Sequence, residues 1–210
     1  MTANQIVTGR SEFESRMLLC ISHQLGCRYY LGDFQDEKYL PDFHAMMNWN
    51  AWQCFAPESL LTPDGRRVMW AWCKLDQPGM RTAIQSLPRE PSLPSDGILR
   101  IQPIAELQSL RFDEQTEENV TIQAGTPYVL NHIAGDVLEL EIVLDANEAD
   151  AFGVNLFCDV EHKPGLPISI VPGQRTLRVG DVKAPFESQE DESTTLRVFL
   201  DKAMVGGVRG

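Results

Sequence analysis

The 210-residue sequence has no long apolar run, no basic stretch and no regular cysteine spacing, and each absence closes off a class of function. No run approaches the roughly 20 apolar residues a helix needs to cross a bilayer. Met1-Thr2-Ala3-Asn4-Gln5 has neither the basic n-region nor the apolar h-region of a signal peptide, so a cytoplasmic address is expected unless an upstream part is missing. Lys and Arg total 18 against 30 Asp and Glu, a net charge of −12. Such an excess of carboxylates repels nucleic-acid phosphates and anionic membranes, and neither partner is expected. The five cysteines, Cys20, Cys27, Cys54, Cys73 and Cys158, are odd in number, irregularly spaced and without a Cys-x-x-Cys pair. Reduced, buried thiols are expected rather than a disulfide framework. His23 lies between Cys20 and Cys27, but the spacing matches no common zinc pattern. No metal or cofactor is expected. The Asn119-Val120-Thr121 acceptor would matter only in a secreted protein.

With 43% hydrophobic and 23% charged residues the composition is that of an ordinary globular protein, long enough for one large or two small domains. Its densest stretch runs from Phe55 to Trp72. Phe55 to Leu61 and Val68 to Trp72 are aromatic and aliphatic runs, and Pro63-Asp64-Gly65 between them supplies a fixed φ, a local acceptor and a residue free to take φ > 0. This predicts a β-hairpin. Upstream, Arg16 to Ser22 and Arg28 to Gly32 predict two strands separated by the turn-like Gln24-Leu25-Gly26, and 33–39 leads into a loop closed by Pro41. With the hairpin at 55–72 these make a four-stranded meander, one propeller blade.

Thr82 to Leu87 and Ile98 to Ile101 predict two more strands. Pro88, Pro91 and Pro94 lie between them and remove ladder donors, which predicts a loop there. Ala105 to Arg111 predicts a helical turn or two and marks the domain boundary, between residues 1–105 and 112–210. Beyond it, short strands are predicted at Asn119–Gln123, Val137–Leu144, Gly153–Cys158, Ile168–Val171, Thr176–Val179 and Leu196–Leu200. Leu138, Leu140 and Ile142 alternate with Glu139 and Glu141, so one face is buried and the other solvated. An antiparallel β-sandwich fits this texture. The acidic run 187–192 predicts a solvated loop.

Several fragments, taken in order, resemble glycoside hydrolase family 32, the invertases, sucrose-6-phosphate hydrolases and other β-fructosidases. Tyr29-Tyr30-Leu31-Gly32-Asp33-Phe34 is similar to the family's Tyr-x-x-Gly-x-Phe strand, and Asp64-Gly65-Arg66-Arg67 with Trp72 to its Asp-Gly-Arg-Arg hairpin. Leu87-Pro88-Arg89-Glu90 is the most specific match. Gly135-Asp136-x-Leu138-Glu139-Leu140 and Leu196-Arg197-Val198-Phe199-Leu200-Asp201 are similar to strands of the family's sandwich. The resemblance covers residues 15 to 205 and is to the family's second half. It implies an all-β fold, the last blade or blades of a five-bladed β-propeller followed by a β-sandwich.

The family's chemistry uses three carboxylates: a nucleophile in an Asn-Asp-Pro-Asn-like motif, an Asp after Arg that steadies the transition state, and an acid/base Glu before Cys. Retaining glycosidases hold their two main carboxyls about 5 to 5.5 Å apart. None of the three motifs occurs in these residues; Glu12 and Glu14 are the nearest carboxylates to the expected acid/base position, and neither precedes a Cys. No catalytic residue is therefore assigned. Two substrate-contact positions are implied. Trp72 matches a tryptophan lining the fructosyl pocket, although a core indole in a blade strand accounts for it equally well. Asn48 falls where the family usually has an Asp that accepts from fructosyl hydroxyls, and it keeps an acceptor without the charge. Glu58 is expected to be structural or at the pocket edge. After Val205 the family has a further strand or two where this chain has Gly206-Gly207-Val208-Arg209-Gly210.

Three functions follow. The first is the C-terminal part of a β-fructosidase, inactive alone, meeting a β-fructoside (sucrose, sucrose 6-phosphate or fructan) only when completed by further blades, and prone to self-association through exposed sheet edges. The second is a non-catalytic carbohydrate-binding or accessory module with a groove lined by Trp49, Trp52 and Trp72. The third is an enzyme with a rearranged site drawn from Asp33, Asp36, Asp42 and Glu58.

Overall fold

The computed structural model describes residues 4–7, 17–23, 26–49, 53–74, 83–130, 132–145, 149–159, 161, 163, 165–187, 193–202 and 204–209. Glu12, Glu14, the turn at Gln24-Leu25, Trp52, Thr82 and the acidic residues 188–192 lie outside the described residues. The chain divides into two units, Met1–Leu107 and Gln108–Gly210, and is 54% strand and 6% helix.

The first unit opens with a four-stranded antiparallel sheet of β1 (Asn4–Val7), β2 (Met17–His23), β3 (Gly26–Gln35) and β4 (Lys38–Met46), in that order. Along β3, Cys27, Tyr29 and Leu31 are buried while Arg28 and Tyr30 are half-exposed, the alternation of a strand with one covered face. Tyr29 and Leu31 pack with Ala45, Met47, Leu93 and Leu99. Where a loop closed by Pro41 was expected after 33–39, Lys38–Met46 is strand. The two-residue turn Asp36-Glu37, both with positive φ (48° and 60°), folds β4 straight back onto β3. Pro41 is tolerated because β4 is an edge strand and the register shifts between Leu31 and Gly32, opposite the proline.

The hairpin forms as expected but begins a second sheet rather than completing the first. The second sheet contains β5 (Cys54–Leu61), β6 (Arg67–Lys74), β7 (Ala83–Gln85), β8 (Arg89–Ser92) and β9 (Arg100–Pro103), ordered β5-β6-β8-β9 with β7 also on β6. At its tip the Gly65 N–H donates to Thr62 O (3.0 Å) and the Thr62 N–H to Arg66 O (2.8 Å), with Gly65 at φ +86°. The prolines of 88–94 do not exclude a strand: Pro91 sits in β8 opposite Ile101. Its missing N–H is tolerated because β8 meets β6 at the single pair Met69↔Arg89. Ala105–Leu110 is a 3-10 helix.

The second unit holds β10 (Val137–Leu144), β11 (Phe152–Leu156), β12 (Leu166–Val171), a 3-10 turn at Pro172–Gln174, β13 (Thr176–Val179), β14 (Val182–Pro185), β15 (Thr194–Asp201) and β16 (Met204–Arg209). They form two antiparallel sheets, β10-β15-β16 and β11-β12-β13-β14. Thr194, Leu196, Val198 and Leu200 point inward from β15; the last three meet Leu156, Ile168, Ile170 and Phe186 in one core. This is a β-sandwich. Each such aliphatic side chain contributes about 1.5–3 kcal/mol on burial. Asn119–Gln123 is irregular rather than a strand, and β14 and β16 were not expected.

Glu139 is not the solvated residue that alternation implied. It is half-buried and accepts from two arginines, Arg111 (Nε 2.9 Å, Nη2 2.6 Å) and Arg197 Nε. Arg111 foremost, with Arg197 also contributing against burial, holds its carboxyl below the usual range. A depressed carboxylate stabilises the fold above its ordinary value of about 4.3 and loses that contribution as pH falls through the lowered folded value. Glu139→Gln is therefore expected to destabilise the sandwich by about 1 kcal/mol at pH 7. The gap from the parent should close below pH ~4; a pH-independent gap in urea midpoints would refute the assignment. Gly32 yields a second expectation. An added Cβ would lie 2.2 Å from Leu40 O and 2.7 Å from Pro41 Cα. Gly32→Ala should cost about 1–3 kcal/mol, read as a lowered Tm, because only backbone can move aside.

Candidate functional site

On β6, side chains alternate between two faces. Met69 (1% exposed), Ala71 (2%) and Cys73 point one way, and Val68, Trp70 and Trp72 the other. The β5 register sets Leu60 opposite Val68, Glu58 opposite Trp70 and Phe55 opposite Trp72, while β7 sets Gln85 on the other side of Trp72. Phe55 and Glu58 are three residues apart and would face oppositely in a regular strand. A bulge at Ala56-Pro57, with Ala56 at φ 43°, inserts the extra residue that returns Glu58 to the face of Phe55. Sequence reading missed this bulge; Ala56-Pro57 inside an apolar run was the available signal.

The result is an aromatic face with polar groups at its margin. The Phe55 and Trp72 rings are 5.7 Å apart and tilted by 47°, and Trp72 is 47% exposed. At that exposure Trp72 is not a core indole. An open indole face packs against the C–H groups of a sugar, while the Glu58 carboxylate and Gln85 amide offer acceptors and a donor to hydroxyls.

Asn48 has a different place. It follows β4, and its Oδ1 accepts from the Cys27 N–H at 2.8 Å, beside the bond from Met47 N–H to Cys27 O at 2.8 Å. Its side chain extends the β3–β4 ladder past its last residue. The acceptor assigned to a fructosyl hydroxyl is thus engaged with the backbone.

Asp33, Asp36 and Asp42 are exposed at the β3–β4 hairpin, whereas Glu58 is on the second sheet. The structure divides this set between two sheets. Among the described residues, no group of three or more His, Cys, Asp or Glu is arranged to hold a metal ion. The two most specific sequence fragments do meet. Arg66 binds Asp64 (Nε, 2.8 Å), Glu106, and Glu90 (Nη1, 3.4 Å), joining Asp64-Gly65-Arg66-Arg67 to Leu87-Pro88-Arg89-Glu90. The Thr62 hydroxyl and the Arg66 guanidinium pull the exposed Asp64 carboxyl down to about 2.

Blade-like sheets followed by a β-sandwich define the class: the propeller-and-sandwich glycosidase fold. No protein-family model matches the chain. It is 28% identical over 160 residues to sucrose-6-phosphate hydrolase of Vibrio alginolyticus, covering 72% of this chain and 31% of that protein. It is 27% identical over 168 residues to raffinose invertase of Escherichia coli, covering 72% and 33%. The structure of sucrose-6-phosphate hydrolase from Lactobacillus gasseri superposes with a TM-score of 0.74 at 17% identity, over 99% of this chain and 47% of that one. These relatives are glycoside hydrolase family 32 enzymes, and this chain is similar to their C-terminal part. It spans about a third of the length of the two curated relatives. Among the described residues, no helix is long and apolar enough to cross a membrane.

If Asn48 serves the ladder, Asn48→Ala, which removes the acceptor, should cost about 1 kcal/mol. Asn48→Asp keeps an acceptor and should melt within a degree or two of the parent. Equal melting temperatures for the parent and the alanine variant would remove this role.

Proposed function

We propose that these 210 residues are the C-terminal blade and sandwich portion of a family 32 β-fructosidase, and that they present Trp72 to a β-fructofuranoside without hydrolysing it alone. The observation that carries this reading is the Phe55–Trp72 face, on which the register places one carboxylate, Glu58. Glycoside hydrolysis by retention or inversion needs a pair, one to protonate the leaving oxygen and one to attack or to activate water. Binding energy without those two groups does not lower the chemical barrier. Substrate candidates are sucrose, sucrose 6-phosphate and fructan; the relatives' names, sucrose-6-phosphate hydrolase and raffinose invertase, support a fructosyl sugar. The unpaired outer edges of the strands are where the missing blades, or another copy, would add. A cytoplasmic setting belongs to the same proposal, because it keeps free thiols reduced.

The purified chain should show no turnover on sucrose, sucrose 6-phosphate or inulin. Co-expressed with a polypeptide carrying the blades it lacks relative to those enzymes, it should yield a complex with turnover, and Trp72→Ala in that complex should raise KM about tenfold, ~1.4 kcal/mol of binding. Hydrolysis by the chain alone, lost in Glu58→Gln, would replace this reading with a rearranged active site. The exposed Trp49 and Trp72, 43% and 47%, favour one second reading, a carbohydrate-binding module. Fructan binding by the chain alone, unchanged on adding the missing blades and never accompanied by turnover, would establish it.

A further inference from the structure

The covered face of the second sheet ends in thiols. Cys54 and Cys73 are direct cross-strand partners on β5 and β6. The Lys74 N–H donates to Gln53 O at 3.1 Å, making Gln53 and Lys74 the hydrogen-bonded pair and leaving Cys54 and Cys73 as the adjacent non-hydrogen-bonded pair. In such a pair the Cα atoms lie about 4.5 Å apart, with side chains close together. That is the short end of the roughly 4.4–6.8 Å a disulfide spans. Both cysteines are half-buried and free. The buried Cys27 of β3 brings a third thiol near Cys54, and the Arg89 guanidinium adds positive charge; the Cys27 thiol donates to Met47 Sδ at 3.8 Å and the Cys73 thiol to Ala71 O at 4.0 Å. The neighbouring Cys27 and Cys73 thiols, and then Arg89, lower the Cys54 thiol against the effect of burial. The Cys54 thiolate and burial push Cys73 up.

We propose that Cys54 and Cys73 form a reversible redox site that a hydroperoxide closes into a cross-strand disulfide. The Cys54 sulfur attacks one peroxide oxygen and the O–O bond breaks. The departing alkoxide or hydroxide takes a proton from solvent, leaving Cys54 as a sulfenic acid. The Cys73 sulfur then attacks the Cys54 sulfur, the S–O bond breaks, and the hydroxyl leaves with the Cys73 proton as water. Two thiols lose two electrons and the peroxide gains them. A bridge at the short end of the permitted span is readily reduced again, the property of a regulatory rather than a structural disulfide. It would lie one residue from the Phe55–Trp72 pair on both strands and stiffen the hairpin that carries the aromatic face. The site does not depend on the sugar reading.

The test uses the whole reduced chain, titrated with hydrogen peroxide, alkylated, digested and mapped by mass spectrometry. A peptide joining Cys54 to Cys73, two hydrogens lighter and restored by dithiothreitol, is expected at peroxide levels where the exposed Cys158 is still alkylated. Cys73→Ser should trap Cys54 as a sulfenic acid that dimedone labels. The mapping of the unmodified chain decides the matter whether or not the variant folds. Full alkylation of Cys54 and Cys73 after peroxide, linkage of either to another cysteine, or sulfinic acid at Cys54 without a bridge would overturn the proposal.

Discussion

The register between β5 and β6 is the constraint on which the first unit depends. Strand side chains alternate with a period of two, so a single slip exchanges the faces. With Cys54 opposite Cys73 and Leu61 opposite Arg67, one face of the hairpin is covered through Met69 and Ala71, and the other carries Trp70 and Trp72. The bulge at Ala56-Pro57 corrects the phase between these ends, so Glu58 and Phe55 share the outer face. The aromatic face and the thiol pair are thus two consequences of one pairing.

Charge in this acidic chain serves as stitching. Arg66 ties the hairpin tip to Glu90 of β8 and to Glu106 of the 3-10 helix. In the sandwich, Glu139 of β10 is held by Arg197 of the neighbouring strand and by Arg111. The first cluster is largely exposed, so its worth lies in orientation more than in stability. The second is more enclosed, and desolvation makes its partners interdependent.

Chemistry and architecture here separate cleanly. The fold supplies a paired strand hairpin, an exposed indole and hydrogen-bonding groups beside it. Hydrolysis requires a second carboxylate at a fixed distance from the first, and among the described residues the register of β5 to β7 places Glu58 on that face.

Local chemistry was legible in the residues themselves. Pro63-Asp64-Gly65 specified its turn because φ limits and side-chain acceptors act within four residues, and the alternation of Val137–Leu144 specified a strand with one buried face. The order of short motifs pointed to the same family as the relatives the chain is similar to. What sequence left open was everything set by distant partners. The stretch after 33–39 read as a loop closed by Pro41, yet an edge position and a register shift let the proline sit in a strand. Pro91 misled in the same way. Glu139 read as solvated because Arg111 and Arg197 are 28 and 58 residues away. Asn48 resembled a sugar ligand by position, but its acceptor belongs to the Cys27 amide 21 residues earlier. Turns and strand periods are short-range steric facts and so are written in the chain; which sheet a strand joins, and which partner a polar atom finds, depends on long-range packing and was decided only by the tertiary structure.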